Sequence, residues 1–101
     1  MLVFCDLETT GLDPIKDHIL EAGFVMTDKR LNICDAFSVI VKPSRDGWRN
    51  RLNKYVLEMH TKSGLLDLVE TAGIRPTAAS MMIEQWLTRI DLPAEHKIPL
   101  A

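Results

Sequence analysis

The sequence holds no window approaching the roughly 18 consecutive apolar residues that a membrane span needs, which argues against membrane insertion. It also lacks a leader-like start: Met1 runs straight into LVFCDLE with no basic segment and no small-residue cleavage site, so a cytoplasmic protein is expected. Cysteine is scarce. The two present, Cys5 and Cys34, have no metal-ligand spacing and sit inside apolar runs, which predicts buried free thiols rather than a disulfide or a zinc site. Excess charge is missing as well, because a net charge of −2 creates no global attraction to nucleic acid. One local exception is the basic stretch SRDGWRNRLNK, with Arg45, Arg49, Arg51 and Lys54. Repeats, low-complexity tracts and interdomain linkers are absent, and 101 residues suffice for one domain with a modest core.

What is present has clear periodicity. Residues 2–7 read as a strand with Val3, Cys5 and Leu7 on one face and Leu2, Phe4, Asp6 and Glu8 on the other. Both faces are mostly apolar, which predicts a central strand covered on both sides. ILEAGFVMT (19–27) is a second β-like run, DKRLN a polar turn, and ICDAFSVIVK a third run, so an antiparallel meander is expected. After Pro43 the spacing becomes helical. Leu52, Tyr55, Val56 and Met59 form one stripe, Gly64 marks a break, and LLDLVETAG is a second short helix. Thr77 reads as the N-cap of a third helix whose stripe is Met82, Ile83, Trp86, Leu87 and Ile90, ending by Pro93. KIPLA (97–101) reads as the start of a further strand.

The chemical signal lies in VFCDLETTGLDP (3–14). Two residues apart on a strand, Asp6 and Glu8 share a face with Cα atoms about 6.5–7 Å apart. Partly buried carboxylates this close repel and lose hydration, so they call for a raised pKa or for a cation between them. Hard divalent ions such as Mg²⁺ or Mn²⁺ take such oxygen ligands. The two hydroxyl residues and the glycine that follow predict a polar turn whose backbone N–H groups approach a phosphate or a sugar.

These residues resemble the first motif of the DEDD superfamily of 3′–5′ exonucleases, a strand bearing D-x-E, here Asp6-Leu7-Glu8, followed by T-T-G. Within it the chain looks most like the oligoribonuclease family, on ILEAGFVMTDKRLNI (19–33), MHTKSGLLDLV (59–69) and EQWLTRI (84–90). The resemblance implies an α/β, RNase H-like fold with a mixed sheet. It also implies hydrolysis of short single-stranded RNA by two metal ions, Mg²⁺ or Mn²⁺, in a cytoplasmic homodimer. Asp6 and Glu8 would be catalytic metal ligands. Leu12 matches a leucine that wedges beside a terminal base, and Tyr55 falls where the family has an aromatic, commonly Trp, that packs on a base. His60 matches the histidine of the H-T-x-S-G-L segment, near the substrate. Read without the resemblance, Tyr55 belongs to the apolar stripe of its helix, and His60 is a cap or surface residue favoured by the helix dipole.

The resemblance also fixes what the 101 residues do not supply. The pattern needs four acids and a base, and only two acids match; Asp67, Glu70, Glu84 and Asp91 occupy helical positions that read as solvated faces. Residues 1–101 are therefore expected to be the N-terminal portion of one RNase H-like exonuclease domain, ending after three antiparallel strands and three helices, with little activity alone. Two alternatives stand beside this one: a proofreading-type DNA exonuclease of the same superfamily, and a non-catalytic module whose open sheet edge pairs with another chain.

Overall fold

The computed structural model describes residues 1–90. Three strands, β1 (Leu2–Thr9), β2 (Ile19–Thr27) and β3 (Ile33–Ile40), form an antiparallel meander in the order β1-β2-β3. A 3₁₀ turn (Trp48–Arg51) and three helices follow, α1 (Lys54–Lys62), α2 (Leu65–Ala72) and α3 (Pro76–Arg89). This is the expected α/β arrangement. Asp28 closes the β2–β3 turn, its carboxylate accepting from the backbone N–H groups of Arg30 (2.8 Å) and Asn32 (3.0 Å). Among the described residues no helix is long and apolar enough to cross a membrane.

Among the described residues the central position belongs to β2, whereas the sequence pattern points to β1. Because the meander places the middle run between its neighbours, β2 is paired on both sides and buries Leu20, Ala22 and Phe24. Among the described residues β1 is an edge strand, and Leu2 and Phe4 stay about half exposed (50% and 51%). Its other face is covered as the alternation predicts. Val3, Cys5 and Leu7 pack with Phe24, Val39, Ile83 and Trp86 in the core between sheet and α3. A second, smaller core gathers Leu20, Trp48, Leu65, Leu66 and Val69, with Ile40 and Leu52 against it. Ile40 pairs with Glu21 on the face that carries Glu8, so the 3₁₀ turn and α2 cover one end of that face.

Several local expectations are corrected. Pro76 occupies the first turn of α3 and Arg75 its N-cap position, so Thr77 lies inside the helix; proline's fixed φ and missing N–H suit that first turn. Ala79 joins Ile83, Trp86 and Leu87 on the buried face, whereas Met82 is exposed. α3 stops at Arg89, and Asp91, Pro93, His96 and the KIPLA strand lie outside the described residues. On α1 the expected apolar stripe is mostly outward: Tyr55 is 74% exposed and Met59 41%, while Leu52 precedes the helix and packs into the second core. The single buried residue of α1 is His60. Both cysteines are free, but Cys34 is exposed and Cys5 only half-buried. Burial, reinforced by the Asp6 carboxylate, pushes the Cys5 thiol up and keeps it protonated.

Candidate active site

Asp6 and Glu8 stand on the β1 face away from α3, Asp6 exposed and Glu8 half-buried. Register decides their neighbours. Asp6 faces Gly23, whose missing side chain leaves the space beside it open, and Glu8 faces Glu21 directly across the strand pair. Like charges so placed repel. Immediately beyond, the ladder slips at Glu8/Thr9, so that Thr9 pairs with Ile19 and Leu20 becomes the extra residue, buried in the second core. ILEAG reads as an ordinary strand, so nothing local in the sequence marks Glu21. Only the hairpin register brings its carboxylate to Glu8.

The turn after the acids is fastened rather than open. Thr10 is fully buried; its N–H donates to the His18 carbonyl (2.9 Å) and its hydroxyl to Asp17 Oδ1 (2.8 Å), while the His18 N–H donates back to that hydroxyl (2.9 Å). Asp17 Oδ2 accepts from the Asp13 N–H (2.9 Å), and Oδ1 also takes Arg51 Nε at 3.2 Å. The Thr9 hydroxyl donates to the Gly11 carbonyl at 2.7 Å. The expected phosphate cradle is thus corrected at these groups, because Asp17 and the loop's own backbone occupy both hydroxyls and the Thr10 N–H. Gly11 is required by this closure, since a Cβ there would lie 2.5 Å from Asp17 Oδ2.

The same hydrogen bonds, the Asp13 N–H first, hold the Asp17 carboxyl below the usual range, with Thr10 and Arg51 adding to them. A depressed folded-state value stabilises the protein fully above the ordinary value of 3.8 and loses that stabilisation as pH falls through the depressed one. Asp17→Asn is therefore expected to lower the denaturation midpoint at pH 7 and to flatten its fall below about pH 4. Urea denaturation of both proteins at pH 7 and pH 3 measures this; parallel pH profiles would contradict it.

His60 departs from the surface position expected of it. It is 2% exposed, and its Nε2 lies 2.7 Å from the Thr9 carbonyl oxygen, so that nitrogen carries the proton and donates. α1 is thereby tied to the end of β1, one residue past Glu8. Glu8, Glu21 and His60, with Met59, Ser63 and Leu65, line one cavity of about 190 Å³. Leu12 is fully exposed at the tip of the loop and lines a different cavity, and Tyr55 projects into solvent from the first turn of α1. The fold thus brings Glu8 and His60 together and leaves Leu12 and Tyr55 as separate exposed apolar surfaces.

The donor set of Asp6 and Glu8 suits a hard divalent cation, with carboxylate oxygens on one face and the carboxylate of Glu21 adding negative charge. Among the described residues no group of three or more His, Cys, Asp or Glu side chains is arranged to hold a metal.

Comparison with known proteins gives a consistent picture. The model of the RNase T family, described as exonuclease, matches residues 3–99. Oligoribonuclease of Haemophilus influenzae (strain PittGG) is 33% identical over 88 residues, covering 87% of this chain and 48% of that protein. Oligoribonuclease of Tropheryma whipplei is 38% identical over 89 residues, 87% of this chain and 47% of its own length. Oligoribonuclease of Leifsonia xyli is 37% identical over 101 residues, 99% of this chain and again 47% of the relative. The chain spans about half the length of the curated relatives it matches. Its three antiparallel strands and three helices are consistent with an RNase H-like exonuclease domain. With the match running over nearly its whole length, the chain belongs to the RNase T exonuclease family.

Proposed function

We propose that the chain carries part of the active site of a 3′–5′ exoribonuclease that degrades short oligoribonucleotides in the cytoplasm as a homodimer. The observation that carries this reading is the placement of Asp6 and Glu8 together on one sheet face, beside a turn pinned by Asp17 and His60. Relatives named oligoribonuclease support the choice of RNA. Residues 1–101 correspond in this reading to the N-terminal portion of one exonuclease domain.

Asp6 and Glu8 would hold Mg²⁺ or Mn²⁺, two ions in the complete site, and bound there the ions would supply charge stabilisation and a more acidic water for phosphodiester hydrolysis. The protein's own contributions are distinct. Glu8 and Asp6 present oxygens to the cation, and the negative field of Glu21 strengthens its attraction. Leu12 and Tyr55 offer apolar surface to bases, worth roughly 1–3 kcal/mol for a stacked aromatic. His60 serves the substrate by fixing the Thr9 carbonyl, and with it the direction in which the chain leaves Glu8. These 101 residues supply two carboxylates of the pattern and no matching base, so turnover by this chain alone is negligible.

The test is binding of 5′-labelled RNA and DNA dinucleotides with and without Mn²⁺, followed by fluorescence polarisation. RNA should bind in preference, and Mn²⁺ should strengthen it. Preference for DNA, or indifference to Mn²⁺, would overturn the assignment. Turnover by protein of verified 101-residue mass would overturn the claim of incompleteness.

A further inference from the structure

The basic stretch seen in the sequence is divided by the fold. Arg49 pairs with Glu70 (3.2 Å), which Lys42 shares (3.1 Å), and its guanidinium lies over the Trp48 ring. Arg51 turns the other way, committing Nε to Asp17. Arg45 and Lys16 have no acidic partner among the described residues. These last three cations meet at a cavity of about 420 Å³ lined by Lys16, His18, Arg45, Asp46, Asn50 and Arg51, with the buried Trp48. Three cations there face one lining carboxylate.

Two further features give this cavity direction. Asp17 fixes the Arg51 guanidinium through Nε alone, so its terminal nitrogens remain available to an anion in a set orientation. A second cavity of about 520 Å³ shares His18 and Arg45 with the first and reaches Leu12, Thr9 and Leu7. The two cavities adjoin at His18 and Arg45, and the second borders the loop that follows the carboxylates.

We propose that the Lys16–Arg45–Arg51 cavity is a phosphate-binding pocket that takes a backbone phosphate of single-stranded RNA. It lies upstream of the 3′ end engaged at Asp6 and Glu8. The proposal rests on the exoribonuclease reading and deepens it: strands longer than a dinucleotide gain a contact that a dinucleotide does not. Phosphate contacts of this kind position a strand without reading its sequence, and they weaken with salt.

The test uses the charge-reversed variant Lys16→Glu/Arg45→Glu, both side chains being exposed, with Lys16→Gln/Arg45→Gln as a milder second variant. Binding of an RNA pentanucleotide should fall about tenfold or more, and the slope of log K against log salt should become shallower by about 0.7, one single-strand phosphate's share. Dinucleotide binding should stay within about twofold, since neither residue belongs to the carboxylate site. Unchanged pentanucleotide affinity and slope would overturn the pocket. Inorganic phosphate, followed by the Trp48 indole N–H resonance, forms a separate arm. If it perturbs Trp48 while the pentanucleotide ignores the charge reversal, the pocket serves a free anion and the RNA assignment is wrong. Failure of the exoribonuclease reading shows elsewhere, as dinucleotide binding that survives Asp6→Asn/Glu8→Gln unchanged.

Discussion

Trp86→Ala is expected to cost about 3–5 kcal/mol of folding stability, the range for truncating a buried aromatic. Trp86 is 2% exposed and stands where α3 meets the sheet, its ring 5.7 Å from that of Phe24 and 6.0 Å from that of Phe37. It also donates from Nε1 to Asp35 Oδ2 (3.2 Å), an oxygen that Arg89 Nη2 approaches at 3.1 Å. Removing the side chain opens a cavity in the main core and takes one partner from Asp35. Total stability of a small domain is only about 5–15 kcal/mol, so the variant should be largely unfolded at modest urea concentrations. Trp86→Phe keeps most of the contact and gives up the hydrogen bond, at about 1 kcal/mol. Urea denaturation followed by circular dichroism measures both, and similar losses for the two variants would show that the indole N–H, not the ring, matters most.

Glu8→Gln should have opposite effects on stability and on metal binding. Glu8 and Glu21 sit directly opposite one another, and neutralising one of them relieves a repulsion of about 0.2–1 kcal/mol. For 0.5 kcal/mol the thermal midpoint of a domain this size rises by about 2–4 °C. Mn²⁺ at a hundred times its dissociation constant should stabilise the native chain by about 2.7 kcal/mol, and Glu8→Gln should forfeit nearly all of that. Thermal scans with and without Mn²⁺ read both effects. A variant less stable than the native chain without metal, yet still stabilised by Mn²⁺, would contradict the placement of Glu8 as a ligand held against Glu21. Asp6→Asn separates the two effects further, because Asp6 faces Gly23 and has no charge opposite it.

Much of the fold was legible because strands and turns announce themselves locally. The alternation in ILEAGFVMT coincides with β2 from Ile19 to Thr27, and Asp28 and Asn32 close the turn that DKRLN signals. Alternation identifies the faces of a strand but not what covers them. β1 reads as central from its two apolar faces, although Leu2 and Phe4 are half exposed among the described residues. Helical spacing has the same limit. Tyr55 and Met59 share a stripe, yet the one buried residue of α1 is His60, a polar residue that the apolar pattern overlooks.

The candidate site divides along the same line. Asp6 and Glu8 are two residues apart in one strand, so their common face follows from β geometry alone. Glu21 joins them only through hairpin register. Asp17 fastens the loop through groups seven residues before it and thirty-four after it, and His60 reaches Thr9 across fifty-one. Such contacts are set by how the elements dock, which no local spacing encodes. The bulge at Glu8/Thr9 is similar, since Leu20 looks like any other apolar strand residue until the second core claims it.

The central claim is that Asp6 and Glu8 hold a divalent cation that RNA also uses. It is tested most directly by the free Mn²⁺ signal in electron paramagnetic resonance, with the native chain and with Asp6→Asn/Glu8→Gln, each with and without an RNA dinucleotide. The native chain should deplete free Mn²⁺, and the dinucleotide should deepen that depletion, since ligands that favour each other must do so reciprocally. The double variant should do neither. Equal free Mn²⁺ in both proteins, with the dinucleotide making no difference, would contradict it.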